Sequence, residues 1–91
     1  MTQVWLLAIS RFEWYEVKHI CQTKETALKL FEDLRQELIA DNQRMIDHCN
    51  SDNIDATHWQ DSKDALIRMI PGEKLNFNYC DYPDLQGWDL E

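Results

Sequence analysis

Glycine and proline are scarce in this chain: two of each among 91 residues, at Pro71, Gly72, Pro83 and Gly87. A glycine-rich phosphate cradle, a dinucleotide fingerprint and a proline-rich linker are excluded on that ground. Cysteine is also sparse. Cys21, Cys49 and Cys80 are odd in number and widely spaced, so they make neither a disulfide framework nor the CxxC pairs of a structural zinc site. No apolar run reaches the roughly 18 residues of a membrane span, and Met1 to Ser10 has neither a basic leader nor a cleavage-like site. The chain therefore reads as a soluble, cytoplasmic protein. GxxxxGK, HExxH and GxSxG are absent too, so no motif specifies a reaction. The expectation is a non-enzyme without cofactor or metal.

What the chain does contain is apolar and aromatic side chains in quantity. The apolar share is 44%, with four Trp, three Tyr and three Phe, which is the composition of a folding chain despite its charge. A single domain over residues 1–91 follows, burying roughly 60 to 65% of the surface of the unfolded chain. The net charge is −8, which opposes direct contact with nucleic acid or an anionic membrane and favours a basic partner. Its distribution is uneven. Up to Arg44 there are six bases and seven acids, net −1; from Met45 onward Lys63, Arg68 and Lys74 face ten acids, net −7.

Val4 to Ser10, VWLLAIS, is apolar on both faces of a pleat and reads as a central strand. After RFE, Trp14 to Cys21 reads as a second strand, with Tyr15, Val17, His19 and Cys21 on one face and Trp14, Glu16, Lys18 and Ile20 on the other. The short link predicts an antiparallel hairpin with a loop of three to five residues. Thr23 can cap a helix from Lys24 to about Asn50, with Glu25 in its positive first turn. Ala27, Leu30, Phe31, Leu34, Leu38, Met45 and Cys49 mark its apolar stripe, which dips at Asp41 to Gln43. Such a helix is roughly 40 Å long, so it either overhangs the sheet or breaks near Asp41. Residues 50–62 read as an acidic loop, with one helical turn around Ile54 to Gln60 as an option. Ser62 can cap a short second helix that Pro71-Gly72 stops, and Lys74 to Tyr79 alternates as a third strand beside the first. Pro83 is expected to end that pairing, leaving 81–91 as an acidic, aromatic C-terminal segment. The order strand, strand, helix, short helix, strand predicts an α+β, two-layer domain: a three-stranded antiparallel sheet with the long helix on one face.

Few residues here invite chemistry. His19 and Cys21, at i and i+2 of a strand, could serve a metal or form a thiol–imidazole pair, but His48, Cys49, His58 and Cys80 complete a metal set only if the fold gathers them. Trp5 reads as core, and Trp14 as core or rim. Trp59 and Trp88 lie in the acidic stretches HWQD and GWDL, where they either close over the core or face a partner. The carboxylates in these stretches can occupy phosphate positions on a cationic surface while aromatic rings add buried contact.

The element order, small size, acidity and lack of a catalytic signature resemble small accessory proteins of phages and mobile elements, anti-CRISPR and anti-restriction proteins among them. That resemblance implies inhibition of a nucleic-acid-binding enzyme by occupation of its basic groove. The leading expectation is thus a non-enzymatic module that binds a basic protein surface. Asp47, Asp52, Asp55, Asp61, Asp64, Asp81, Asp84 and Asp89 would supply the charge, and Trp59, Tyr82 and Trp88 the anchors. Two alternatives stand beside it. One is a homodimer formed through exposed apolar sheet edges or the helix end near Met45 and Ile46; the other is a small metal- or thiol-dependent protein.

Overall fold

A computed structural model describes residues 2–11, 14–75 and 81–90. The elements are β1 (Thr2–Ser10), β2 (Tyr15–Cys21), α1 (Lys24–Ser51), α2 (Thr57–Arg68) and β3 (Tyr82–Leu90). The fold is α+β, with one antiparallel sheet in the order β2-β1-β3. β1 is central, as its two apolar faces require: it pairs with β2 from Trp5 opposite Cys21 to Ser10 opposite Tyr15. Along its other side it pairs with β3, from Thr2 opposite Leu90 to Ser10 opposite Tyr82.

Two strand assignments change. The third strand of the described sheet is Tyr82–Leu90; of the strand expected over Lys74 to Tyr79, Lys74 and Leu75 lie outside any strand and residues 76–80 fall outside the described residues. Pro83 does not end the pairing. It sits within β3 opposite Ile9, because β3 is an edge strand among the described residues, where a missing N–H can be tolerated. In β2 the strict alternation fails: Val17 stands opposite Ala8 and His19 opposite Leu7, so Lys18 is an extra residue in a bulge. A bulge of one residue exchanges the faces beyond it. His19 and Cys21 therefore face the helices, while Tyr15, Val17 and Ile20 share the opposite face.

α1 is continuous from Lys24 to Ser51, with no break at Asp41. Thr23 Oγ1 accepts from the Thr26 backbone N–H at 3.3 Å and caps its start. A Schellman arrangement ends it: Ile54 N–H donates to Cys49 O at 2.8 Å and Asn53 N–H to Asn50 O at 3.4 Å, with Asn53 left-handed at φ 56°. α2 then runs back along α1. Lys63 Nζ donates to Gln43 Oε1 at 2.5 Å, and Arg35 Nη1 to Ile67 O at 3.3 Å, which fixes the antiparallel sense. α2 begins earlier than expected, so the part of the expected acidic loop from Thr57 to Ser62 is helix. Asp55 accepts from Thr57 N–H and Oγ1 at 3.0 and 2.6 Å and replaces Ser62 as the starting signal. Ser62 instead lies mid-helix, 2% exposed.

The core gathers Leu7 and Ile9 of β1, Cys21 of β2 and Leu85 of β3 beneath Ala27, Phe31, Leu34 and Leu38 of α1, with Leu66 and Met69 closing one side. Ile46 and Cys49 are buried but outside that cluster. Asn42 is buried as well, its Nδ2 donating to Leu38 O at 2.9 Å, so the dip in the apolar stripe is a polar residue that satisfies itself within the helix. At about 1.5 Å per residue α1 outruns the sheet, and its last turns pair with α2 as a projecting hairpin on a body 54 Å long. The self-association option at the helix end loses Ile46, which that hairpin buries.

Candidate functional site

The residues proposed from sequence fall into three groups in space. The first is the helical hairpin. Asp47, Asp52, Asp55, Asp61 and Asp64 are all exposed there, and over residues 45–64 Lys63 is their one formal countercharge, giving net −4, half of the chain's −8. Local hydrogen bonds orient several of them: Gln43 Nε2 donates to Asp47 at 2.8 Å and Gln60 Nε2 to Asp64 at 3.0 Å. The Thr57 hydroxyl and amide hold the Asp55 carboxyl below its ordinary range. Ile54, 56% exposed at the hairpin tip, adds an apolar contact among the carboxylates.

A pocket on the flank of this hairpin is the second group. About 150 Å³ in volume, it is lined by Leu38, Asp41, Asn42, Met45, Trp59, Ser62 and Asp81. It brings Trp59 and Asp81 together from elements 22 residues apart in sequence, and adds Asp41 and Met45, which sequence reasoning did not assign to the site. Asp81 pairs with Arg11 Nη1 at 2.6 Å, and Asp41 pairs with Arg44 one turn along α1. The spacing Trp59, Ser62, Leu66, Met69 is a helical stripe that would have disclosed this wall. Serine at its second position conceals it.

The third group is the sheet face turned away from the helices. Cross-strand partners set its rows: Val4 beside Trp88; Ile20, Leu6 and Gln86; Val17, Ala8 and Asp84; and Tyr15 beside Ser10. Ile20 is 70% exposed, Trp88 54%, Val17 49% and Tyr15 43%. Trp88 thus points to the open face, with Nε1 donating to Gln86 Oε1 at 3.1 Å. Asp84 is not an exposed partner-binding carboxylate: only 4% of its side chain is accessible, and Lys74 Nζ lies 3.3 Å from it. Gln86 Nε2 donates to Asp84 at 2.9 Å and to the Tyr15 hydroxyl at 2.8 Å. Desolvation, then the nearby Asp84 charge, pushes the Tyr15 phenol up to about 12.

Tyr82 stands opposite Ser10 in the same row as Tyr15 and is half-buried, in contact with the core cluster. Asp89 is exposed on β3, apart from both the hairpin and the pocket. Cys21 is 6% exposed, and His19 lines a separate groove with Lys18, Leu30, Asp33, Leu34 and Glu37. Among the described residues no three His, Cys, Asp or Glu side chains converge as metal ligands, and no helix is long and apolar enough to cross a membrane. Cys80 lies outside the described residues. The chain is a small α+β domain with an acidic helical projection and a sheet face, turned away from the helices, on which Tyr15, Val17, Ile20 and Trp88 are exposed. Comparison of the chain with protein-family models, curated proteins and solved structures finds no match.

Proposed function

We propose that this protein is a non-enzymatic binding module that docks the α1–α2 hairpin on a basic protein surface and receives a lysine or arginine side chain in the flanking pocket. The observation that carries this reading is the convergence of Trp59, Met45, Asp41 and Asp81 on one pocket beside five exposed aspartates. A cavity of about 150 Å³ can hold a group the size of benzene, which suits a planar guanidinium. The indole face attracts such a cation, and Leu38 and Met45 pack its aliphatic stem. Arg11 and Arg44 already offset the two pocket carboxylates. The long-range attraction therefore comes from the hairpin's net −4, and the pocket contributes shape and ring contact. In the sharper form of the reading, the basic surface is the nucleic-acid groove of an enzyme, where the aspartates stand in for phosphates.

The test is calorimetric titration with an arginine-rich peptide and, separately, with a glutamate-rich one. Binding of the first alone, weakened by added salt and by Trp59→Ala, is the expected result. Equal binding of both peptides, or arginine-rich binding indifferent to Trp59→Ala, would overturn it. For the sharper form, proteins captured from lysate should be released by competing DNA.

A further inference from the structure

Independently of the hairpin, we infer that the sheet face turned away from the helices, on which Tyr15, Val17, Ile20 and Trp88 are exposed, is a docking surface for a second copy of this chain, giving a weak, two-fold symmetric, face-to-face dimer. In a two-fold contact the same patch meets itself, so a charge near the axis meets its own sign. On a protein of net −8 most of the surface is ill suited to that. The open face is the exception. Val4, Leu6, Val17, Ile20 and Trp88 carry no charge, and the one carboxylate in these rows, Asp84, is nearly buried and paired with Lys74. A basic partner would find nothing here to neutralise; its counter-charges lie on the hairpin.

The sheet's edges point the same way. β3 carries Pro83, which has no N–H to offer a further strand, and β2 is interrupted by the bulge at Lys18. Proline, bulges and lysine are the devices that discourage edge-to-edge pairing, so a second sheet is directed to the face. The bulge also builds that face: by exchanging sides after Val17 it brings Ile20 beside Tyr15 and Val17. Three strands about 4.8 Å apart, over about seven residues of roughly 3.3 Å, present roughly 330 Å² in projection. Two such faces bury on the order of 700 to 1,000 Å², the range of weak and transient complexes. An interface of that size is expected to form only transiently.

Sedimentation equilibrium from about 5 to 500 µM, at low and high salt, tests this. The weight-average mass should rise from monomer toward dimer with concentration. Added salt should strengthen the dimer, because it screens repulsion between two copies of net −8, which is opposite to its effect on a basic partner. Ile20→Asp alters a side chain 70% exposed, and should keep the native circular dichroism spectrum while weakening association at least about tenfold by desolvating a carboxylate. A monomer at every concentration, or a dimer unaffected by both Ile20→Asp and Trp88→Ala, would overturn the inference and leave the hairpin reading untouched.

Discussion

Gly87 stands opposite Trp5, and the indole lies across its backbone. A Cβ at residue 87 would meet Trp5 Cζ3 at 2.9 Å, Cη2 at 3.1 Å and Cε3 at 3.3 Å. The ring has little room to retreat: it packs on the core and has Lys24 Nζ 5.5 Å from its centroid. Gly87→Ala should therefore incur an overpacking cost of about 1 to 3 kcal/mol. Against it stands the lost freedom of the unfolded chain, which favours alanine by about 0.4 to 1 kcal/mol where the backbone is compatible. The clash outweighs it, for a net loss of up to about 2.6 kcal/mol, centred on about 1.3. In a domain this size each kcal/mol lowers the melting temperature by about 4 to 8 °C. Urea unfolding followed by circular dichroism measures the change. In a Trp5→Leu background the obstacle is gone, so Gly87→Ala should become stabilising by about 0.4 to 1 kcal/mol. Failure of the sign to reverse, or a stabilised single variant, would refute the reasoning.

Other expectations follow from the same geometry. Asp84→Ala removes the acceptor shared by Lys74 and Gln86 and should cost about 1 to 3 kcal/mol in chemical denaturation. Leu66→Ala, at a wholly buried position where α2 meets the core, should cost about 2 to 5 kcal/mol. The folded state raises the Tyr15 pKa from 10.0 to about 12, so its contribution to stability is complete below pH 10 and is lost as pH rises through about 12. Tyr15→Phe should flatten the alkaline limb of the melting temperature. Asp55 shifts the other way: its carboxyl is held below the ordinary 3.8, so its contribution is present above that pH and lost on acidification. Asp55→Asn should remove that part of the acid sensitivity.

The sheet and the long helix could be read from periodicity because their apolar residues are core residues. Leu7 and Ile9 of β1 lie beneath α1 while Val4, Leu6 and Ala8 on its other face are half-buried or buried between the side chains of β2 and β3, and Ala27 to Leu38 repeats at three and four because that stripe lies on the sheet. Tyr82–Leu90 pairs with β1 although its local sequence reads as a segment beyond the sheet. Lys74 to Tyr79 alternates more cleanly than Tyr82–Leu90, whose Pro83 and Gly87 lower its strand propensity; an edge position and the Trp5 ring make both residues acceptable, and neither can be seen in a local window. The bulge at Lys18 leaves no compositional mark, so the faces of β2 were assigned by an alternation that the chain interrupts. Ser62 resembles a cap, whereas α2 starts at Thr57, just after a turn in which Asp55 accepts from the Thr57 amide and hydroxyl.

Function was legible only as charge. The acidity of the second half is plain in composition, yet burial decides which carboxylates can meet a partner: Asp84 is consumed by Lys74 and Asp81 is engaged by Arg11, while Asp47, Asp52, Asp55, Asp61 and Asp64 remain exposed on the hairpin. Trp59 and Trp88, equivalent in sequence context, are separated by the fold into a pocket wall and a sheet face.

The central claim is that the hairpin and its pocket engage a basic protein surface. Its most direct measurement is capture of proteins from lysate on the immobilised chain over a salt series, run beside Trp59→Ala. The account predicts that the retained proteins are basic, that they elute as ionic strength shortens the screening length below about 8 to 10 Å, and that Trp59→Ala retains them less. Acidic partners, salt-indifferent retention, or equal capture by the variant would contradict it.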